Sequence, residues 1–448
     1  MTVRDLATDH LQEVDQRHLL HPLHNAAHKA RILVRGQGAL MWDADGKEYI
    51  DGLSGLWNVH VGHGRRELAA AAQEQMSTLA FASNYVGQSN RPAIELAERL
   101  ADMAYPNLNT TFFTSGGAES NESAFKTVRY YWRRKGKPDK IKIISRQHGY
   151  HGVTMAAMSA TGLPNYHPMF GPLVPGFIQT AAPFAYRNPD VDAAAELEKT
   201  ILAEGTETIA ALIAEPVQGA GGVIVPPDDY FPRVREICDR HGVLFIADEV
   251  ITGFGRTGKT FALEHWGVQP DIMSFAKGIT SGYVPLGGIM VSDDVADVIR
   301  SGSGANAWMH AYTYSGHPTA CAVGLANLDV IARERLVEKA AETGGYLQKK
   351  MKELEELPNA DGARGLGMMG AIELVADKST RQGFPAERGV STKALALAAE
   401  RGLITRQRHY GAGEMIMVAP PLVTTREQVD RMVSILADTI QEAVAATA

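Results

Sequence analysis

The sequence predicts an α/β protein in which a large domain with a mostly parallel sheet, covered on both faces, is joined to a smaller α+β domain. Three observations predict it. Short apolar, β-rich runs recur, amphipathic helical stretches separate them, and near Leu325 the texture changes to long charged helices. The length, 448 residues, exceeds one ordinary core and suits a large unit with a smaller partner.

The first 60 residues hold "ALMWDADGKEYIDG", a hairpin candidate turning at Asp45-Gly46 that is expected to join the small domain. Strand candidates follow at "TTFFTS" from Thr110, "IKIISR" from Ile141, "AALIAEP" from Ala210, "VLFIADEV" from Val243, "DIMSFAKG" from Asp271 and "LGGIMVS" from Leu286. Between them, "AESNESAFKTVRYYWRRKG" and "DYFPRVREICDRHG" return apolar residues at helical spacing and end at a glycine. Alternating strands and helices make a parallel sheet, and ligands of such sheets bind outside the carboxyl ends of the strands. "SGSGAN", Ser301 to Asn306, reads as a loop. From Leu325 run "NLDVIARERLVEKAAETGGYLQKKMKELEEL", a strand-rich patch and a closing helix "REQVDRMVSILADTIQEAVAA". The expected divisions are therefore 1–60, 61–325 and 326–448.

Net charge is −7, from 44 basic and 51 acidic side chains, with no block of Lys or Arg, so nucleic acid and anionic membranes are not expected partners. Small-molecule chemistry is expected instead. "MTVRDLATDHLQEVDQRH" mixes charges too early for a secretory signal, and no apolar run approaches the roughly 18 residues of a membrane span, which predicts a cytoplasmic protein. Cys238 and Cys321 stand outside any CxxC pair and read as core residues. His18, His21, His24 and His28 repeat at 3, 3 and 4 residues, but Pro22 breaks the register and no carboxylate accompanies them, so no metal is expected.

"GFGRTGKT", Gly253 to Thr260, fits the phosphate-loop pattern G-x-x-x-x-G-K-[ST]. A nucleoside triphosphatase would need a second strand ending in an acid for magnesium, and the one candidate, "VLFIADE", already leads into this loop. Asp248 and Glu249 would also repel the triphosphate. "GFGRTG" is read as a tight turn.

Asp248 ends one buried strand, and Lys277 ends the next, 29 residues later. Both belong at the same carboxyl edge, where Lys as an imine-forming amine and Asp as the partner of a ring nitrogen would suit pyridoxal phosphate. A structural ion pair explains these two residues equally well. Gly116-Gly117-Ala118 lies between a strand and a long helix, so backbone N–H groups would meet an anion there, whereas Glu119 and Glu122 make an ordinary helix start. The order along the chain, glycine cup, "GYHG", strand-end Asp, strand-end Lys, favours the cofactor.

Long stretches carry a resemblance: "WDADGKEYIDGLSGLWNVHVGHG", "EPVQGAGGVIVPP", "FIADEVITGFGRTG", "FAKGITSGYVPLGG", "YTYSGHP" and "APPLVTTREQVD". Over nearly its whole length the chain resembles the class III aminotransferases of the fold-type I pyridoxal-phosphate family, and most of all the omega-amino acid (amine):pyruvate branch. The resemblance implies a seven-stranded sheet, with the N-terminal segment covering the active site and Leu20 or Leu23 as pocket walls. It implies that Lys277 carries the cofactor, Asp248 keeps its ring nitrogen protonated, Tyr150 stacks on one ring face and Val250 on the other. Gly117 and Ala118 would form the phosphate cup, and Thr313 would reach the phosphate of a neighbouring subunit, in a homodimer or tetramer with shared sites. Leu56, Trp57 and Tyr150 would line the substrate pocket, and Arg406, or Arg408 two residues on, would capture a substrate carboxylate. Glu215 and Gln218 would face the cofactor or stabilise the rim.

Two departures matter. Many relatives have Ser or Thr where Ala118 stands, so a hydroxyl bond to phosphate is missing. The ornithine and 4-aminobutyrate branches have a glutamate, which pairs with the arginine, where Ala220 stands. The implied reaction takes an amino group from an amine or omega-amino acid to pyruvate or a related 2-oxo acid, giving an aldehyde or ketone and L-alanine. Taurine or diamine aminotransferases, aminomutases and decarboxylases of the same family are the alternatives.

Overall fold

A computed structural model describes residues 8–23, 29–85, 87–410 and 413–447. Its central sheet has seven strands in the spatial order Leu108–Thr114, Gly287–Ser292, Ile272–Phe275, Leu244–Asp248, Ile209–Ala214, Lys142–Arg146 and Phe177–Thr180. Gly287–Ser292 runs antiparallel to both its neighbours, and the remaining pairs are parallel. Every residue of Ile209–Ala214 and Leu244–Asp248 is buried, as a strand covered on both faces requires. Six of the seven strands coincide with the apolar runs in the sequence. The seventh, Phe177–Thr180, is a four-residue edge strand with one fully buried residue, too short and too mixed to stand out as a pattern.

The period of two along a strand sends alternate side chains to two different cores. In Leu244–Asp248, Phe245 and Ala247 join Phe231, Val234 and Cys238 of helix Tyr230–His241. Leu244 and Ile246 join Ala124, Phe125 and Val128 of helix Gly117–Arg134 on the opposite face. This double cover fixes the height of the strand and therefore the position of the acid at its end.

The C-terminal part holds an antiparallel sheet in the order Ala360–Leu366, Met369–Leu374, Gly413–Val418, Arg406–Tyr410. Helices Leu336–Glu353, Val390–Glu400 and Arg426–Ala446 pack on it. The last of these begins with a capping box between Thr425 and Gln428. The hairpin Leu40–Asp43/Glu48–Asp51 forms around residues 44–47, and Leu403–Ile404 adds to it in parallel, which ties the N-terminal segment to the C-terminal part. Leu325 falls inside helix Pro318–Arg333, whose Ala320, Cys321, Val323, Leu328 and Ile331 all enter the large core. The charged texture thus begins halfway along a helix that belongs with the sheet. Cys238 and Cys321 are free and buried. Among the described residues no helix is long and apolar enough to cross a membrane.

Candidate active site

Strands Leu244–Asp248 and Ile272–Phe275 are adjacent and parallel, with Asp248 opposite Ser274. Asp248 ends the first and Lys277 follows the second by two residues, so both stand at one sheet edge. Lys277 adopts φ 49°, a left-handed conformation rare for residues other than glycine that persists only where the surroundings enforce it. Next to it Gly278 is packed so closely that a Cβ would lie 2.8 Å from the Nε2 of His60.

Asp248 is buried and gripped from one side. Its Oδ2 accepts from Asn121 Nδ2 and His151 Nδ1, both at 2.8 Å, while its Oδ1 receives, among the described residues, only the Val250 amide, at 3.1 Å. Asn121 also donates to the His151 carbonyl at 2.8 Å, and the His151 amide donates to Thr161 Oγ1 at 2.9 Å. The carboxylate is therefore held rigidly through one oxygen and left with accepting capacity on the other. The Lys277 amine feels Asp248 and Glu215 electrostatically but, among the described residues, forms no hydrogen bond or ion pair. The structural ion pair is thus not made. Burial brings the Lys277 amine down to about 8; Asp248 and Glu215 oppose this shift, and Arg406 and Arg256 add to it.

Helix Gly117–Arg134 begins with no side chain capping its first amides, which leaves N–H groups and the positive end of the helix open to an anion. Gly117 is required there, because a Cβ would lie 2.8 Å from Val250 Cγ1, and Ala118 packs its methyl against Gly152. Glu119 and Glu122 turn to structural tasks. Glu119 Oε2 accepts the Ser115 amide at 2.8 Å, and Glu122 Oε1 accepts the Thr154 hydroxyl and the amides of Ala156 and Ala157.

Around this floor the other expected residues divide. The Tyr150 ring lies 5.8 Å from that of Tyr166, and its amide donates to Glu215 Oε1 at 2.9 Å. Glu215 Oε2 takes the Gly219 amide at 3.0 Å, and Gln218 donates to the Gln147 carbonyl at 2.8 Å, so all these bonds tie loop backbone together at the rim. Burial pushes the Glu215 carboxyl up. Arg408 donates to the Ala220 carbonyl at 3.2 Å and bears on His148, whereas Arg406 bears on Tyr150 and Lys277 and makes no hydrogen bond or ion pair among the described residues. Trp57 is buried, packs with Val217, Ile251 and Met417, and has φ 65°, while the neighbouring Leu56 is 52% exposed.

Thr313 is exposed and, among the described residues, its side chain forms no hydrogen bond to these groups, although His310 and Tyr312 dock its loop on Ser123 and Glu119. Leu20 and Leu23 are exposed. His24 and His28 lie outside the described residues. His21 pairs with Asp15 at 2.8 Å, a carboxylate partner not expected for this segment, yet no cluster able to hold a metal occurs among the described residues.

The Gly253–Thr260 loop leads into the 3-10 turn Ala262–His265 rather than into an α-helix, so it lacks the helix terminus of a phosphate loop. Glu249 points to the interior, not to the loop: it accepts the Tyr105 hydroxyl at 2.5 Å and, closely, the Thr252 hydroxyl, and burial raises it to about 7. Reasoning from sequence missed Asn121 and the bond from His151 to Asp248. Both residues stand beside recognisable motifs, His151 as the second aromatic of "GYHG" and Asn121 one helical turn beyond Gly117, but neither position reveals that its partner is Asp248.

Comparison with known proteins agrees with this geometry. The pattern of the family described as "Aminotransferase class-III" matches residues 23–440. The chain is 43% identical to putrescine--pyruvate aminotransferase of Pseudomonas aeruginosa, over 93% of this chain and 92% of that one. It is 42% identical to diaminobutyrate--2-oxoglutarate transaminase of Halomonas elongata, over 90% and 88%. Among solved structures, a thermostable (S)-enantioselective omega-transaminase from Thermomicrobium roseum superposes with a TM-score of 0.94 at 49% identity, covering 98% of this chain and 99% of that one. An amine transaminase from an uncultivated Pseudomonas species in its PLP-bound form gives a TM-score of 0.91 at 42% identity, covering 95% and 99%. This chain belongs to the class III aminotransferases, enzymes of the fold-type I architecture that use pyridoxal 5'-phosphate.

Proposed function

We propose that the enzyme takes an amino group from an amine or omega-amino acid to pyruvate or a related 2-oxo acid, releasing an aldehyde or ketone and L-alanine. One observation carries this reading: Arg406 has no acidic partner among the described residues, and position 220, which would supply one in the 4-aminobutyrate branch, is an alanine whose carbonyl is occupied by Arg408. An arginine without an internal carboxylate is available to the carboxylate of a 2-oxo acid. It has no task when the donor is an amine lacking an α-carboxylate.

The residues fit the cofactor. The uncapped amides at Gly117 and Ala118 would take its phosphate, Asp248 Oδ1 its ring nitrogen, Tyr150 and Val250 its two faces, and Lys277 its aldehyde carbon. When bound, pyridoxal phosphate supplies the carbonyl that takes up the amine and the ring that accepts the electron pair left at the donor carbon. The remaining steps fall to the chain. Asp248 keeps a proton on the ring nitrogen by the Coulomb attraction that a fixed carboxylate exerts on a cation, and Asn121 and His151 hold it in place. Lys277 Nζ, brought toward neutral pH by burial, takes the proton from the donor carbon and returns it. Arg406 orients the acceptor and Trp57 walls the donor pocket. Thr313 would complete the phosphate site of a second subunit, in keeping with its exposure and that of Phe81, Met309 and Tyr314. A homodimer in the cytoplasm is the expected working form.

The test is a panel of putrescine, β-alanine, taurine and an aryl amine, each with pyruvate and separately with 2-oxoglutarate, with alanine and glutamate measured. Alanine is expected from several donors. Glutamate formation without alanine would overturn the reading.

A further inference from the structure

The loop "GFGRTG" carries a cation that the chemistry above does not use. Arg256 is 0% exposed and reaches three separate parts of the chain. Its Nη1 donates to the carbonyls of Pro420 at 2.6 Å and Met368 at 3.2 Å, and its Nη2 donates to Ser54 Oγ at 2.9 Å and lies 3.4 Å from His60 Nδ1. Asp51, the acid that acts on it, is taken up by the amides of Leu53 and Gly55 and by His63. Among the described residues Arg256 has no ion-pair partner; a buried cation so placed is a costly way to hold chain segments together, and apolar residues would serve cohesion at lower cost. Its placement suggests a more specific task.

Ser54, Gly55 and Trp57 have φ 50°, 63° and 65°, and Phe254, two residues before Arg256, has φ 60°. Positive φ at Ser54, Trp57 and Phe254, none of them glycine, survives only where tertiary contacts over-determine it. The contacts are visible. Ser54 Oγ accepts from Arg256 and donates to the Ala419 carbonyl at 2.6 Å, so arginine, turn and C-terminal sheet close into one network. On its other side His60 lies 3.2 Å from the Gly253 carbonyl through Nε2 and packs on Gly278, the residue after Lys277.

We propose that Arg256 is a positioning residue for the amine donor: it clamps the strained Ser54–Trp57 turn, which walls the donor pocket, to the C-terminal sheet and, through His60, to the backbone beside Lys277. The inference rests on the assignment of Trp57 to the donor side. Loss of the clamp loosens one wall and leaves the acceptor's arginine in place.

The test uses Arg256→Lys, which keeps the charge but cannot span three acceptors. In its apoenzyme the backbone amides of residues 53–58 are expected to exchange hydrogen at least about tenfold faster than in the wild type, while strand Lys142–Arg146 is unchanged. In its holoenzyme the donor KM is expected to rise about tenfold with the pyruvate KM within about twofold. Wild-type exchange over 53–58 would overturn the proposal, as would a parallel rise of both KM values. If Arg256→Lys does not fold, Ser54→Ala, which removes one acceptor alone, is to show the same pattern at smaller size, and wild-type exchange in that variant is the overturning result. The exchange measurement does not depend on which substrates the enzyme uses, so failure of the donor and acceptor assignment remains separable.

Discussion

The sheet edge that carries Asp248 and Lys277 and the rim that carries Trp57 and Arg406 are built by different means. At the edge, two adjacent strands in fixed register set both reactive groups, and a doubly covered sheet holds them. At the rim, contacts span the chain: Arg256 meets Ser54 across 202 positions and Pro420 across 164. The edge is local and stiff, and the rim is assembled from distant pieces. On the proposed assignment, reaction type follows from the edge and the choice of donor from how the rim pieces meet. Variants at the edge should abolish chemistry, and variants at the rim should redistribute it between substrates.

The largest effect is expected at the edge. Lys277→Ala should cost at least about 10⁴-fold in turnover and remove the absorbance of the enzyme-bound cofactor, measured on the purified protein. A variant that keeps both would move the amine elsewhere and erase the contrast. At the rim, Arg406→Leu should raise the pyruvate KM about 100-fold while changing the KM of an amine donor without a carboxylate by less than about threefold. A uniform loss for both substrates would mean that Arg406 belongs to the edge's rigid machinery.

A smaller effect separates the proposed catalytic acid that ends strand Leu244–Asp248 from the structural acid next to it. Glu249 is raised by burial to about 7 in the folded protein, so the stability its protonated form contributes is present below the unfolded value near 4.3 and is lost as pH rises through about 7. Thermal or denaturant unfolding of wild type and Glu249→Gln from pH 5 to 8 should show the wild type losing up to about 3 kcal/mol relative to the variant, with little change in turnover at pH 7. A difference independent of pH would place the charge of Glu249 outside the core.

What was legible in the sequence follows the same division. Six strands, the helix Gly117–Arg134, the Asp45-Gly46 hairpin and the edge pair were readable because local patterning alone specifies them. Phe177–Thr180 was not, since an edge strand of four residues, two half-buried, one exposed and one buried, leaves no alternation to detect. Nor was the hold of Asn121 and His151 on Asp248, because hydrogen bonds across 127 and 97 positions leave no spacing signal. The two arginines, indistinguishable as letters two apart, separate in space: Arg408 is held at Ala220 and Arg406 bears on Lys277. The fourteen-residue match of "FIADEVITGFGRTG" to its family contained Arg256 but gave no hint of its partners, which come from both ends of the chain.

The central claim is that Asp248, by holding a proton on the ring nitrogen, would make the cofactor ring an electron sink and would not serve merely as an anchor. Asp248→Asn, reacted with an amine donor deuterated at its reacting carbon in single-turnover experiments, reports proton removal, and titration of the same apoenzyme with pyridoxal phosphate reports binding. Proton removal should slow about 10³-fold or more while cofactor affinity falls less than about tenfold. Equal losses in the two measurements would contradict the account.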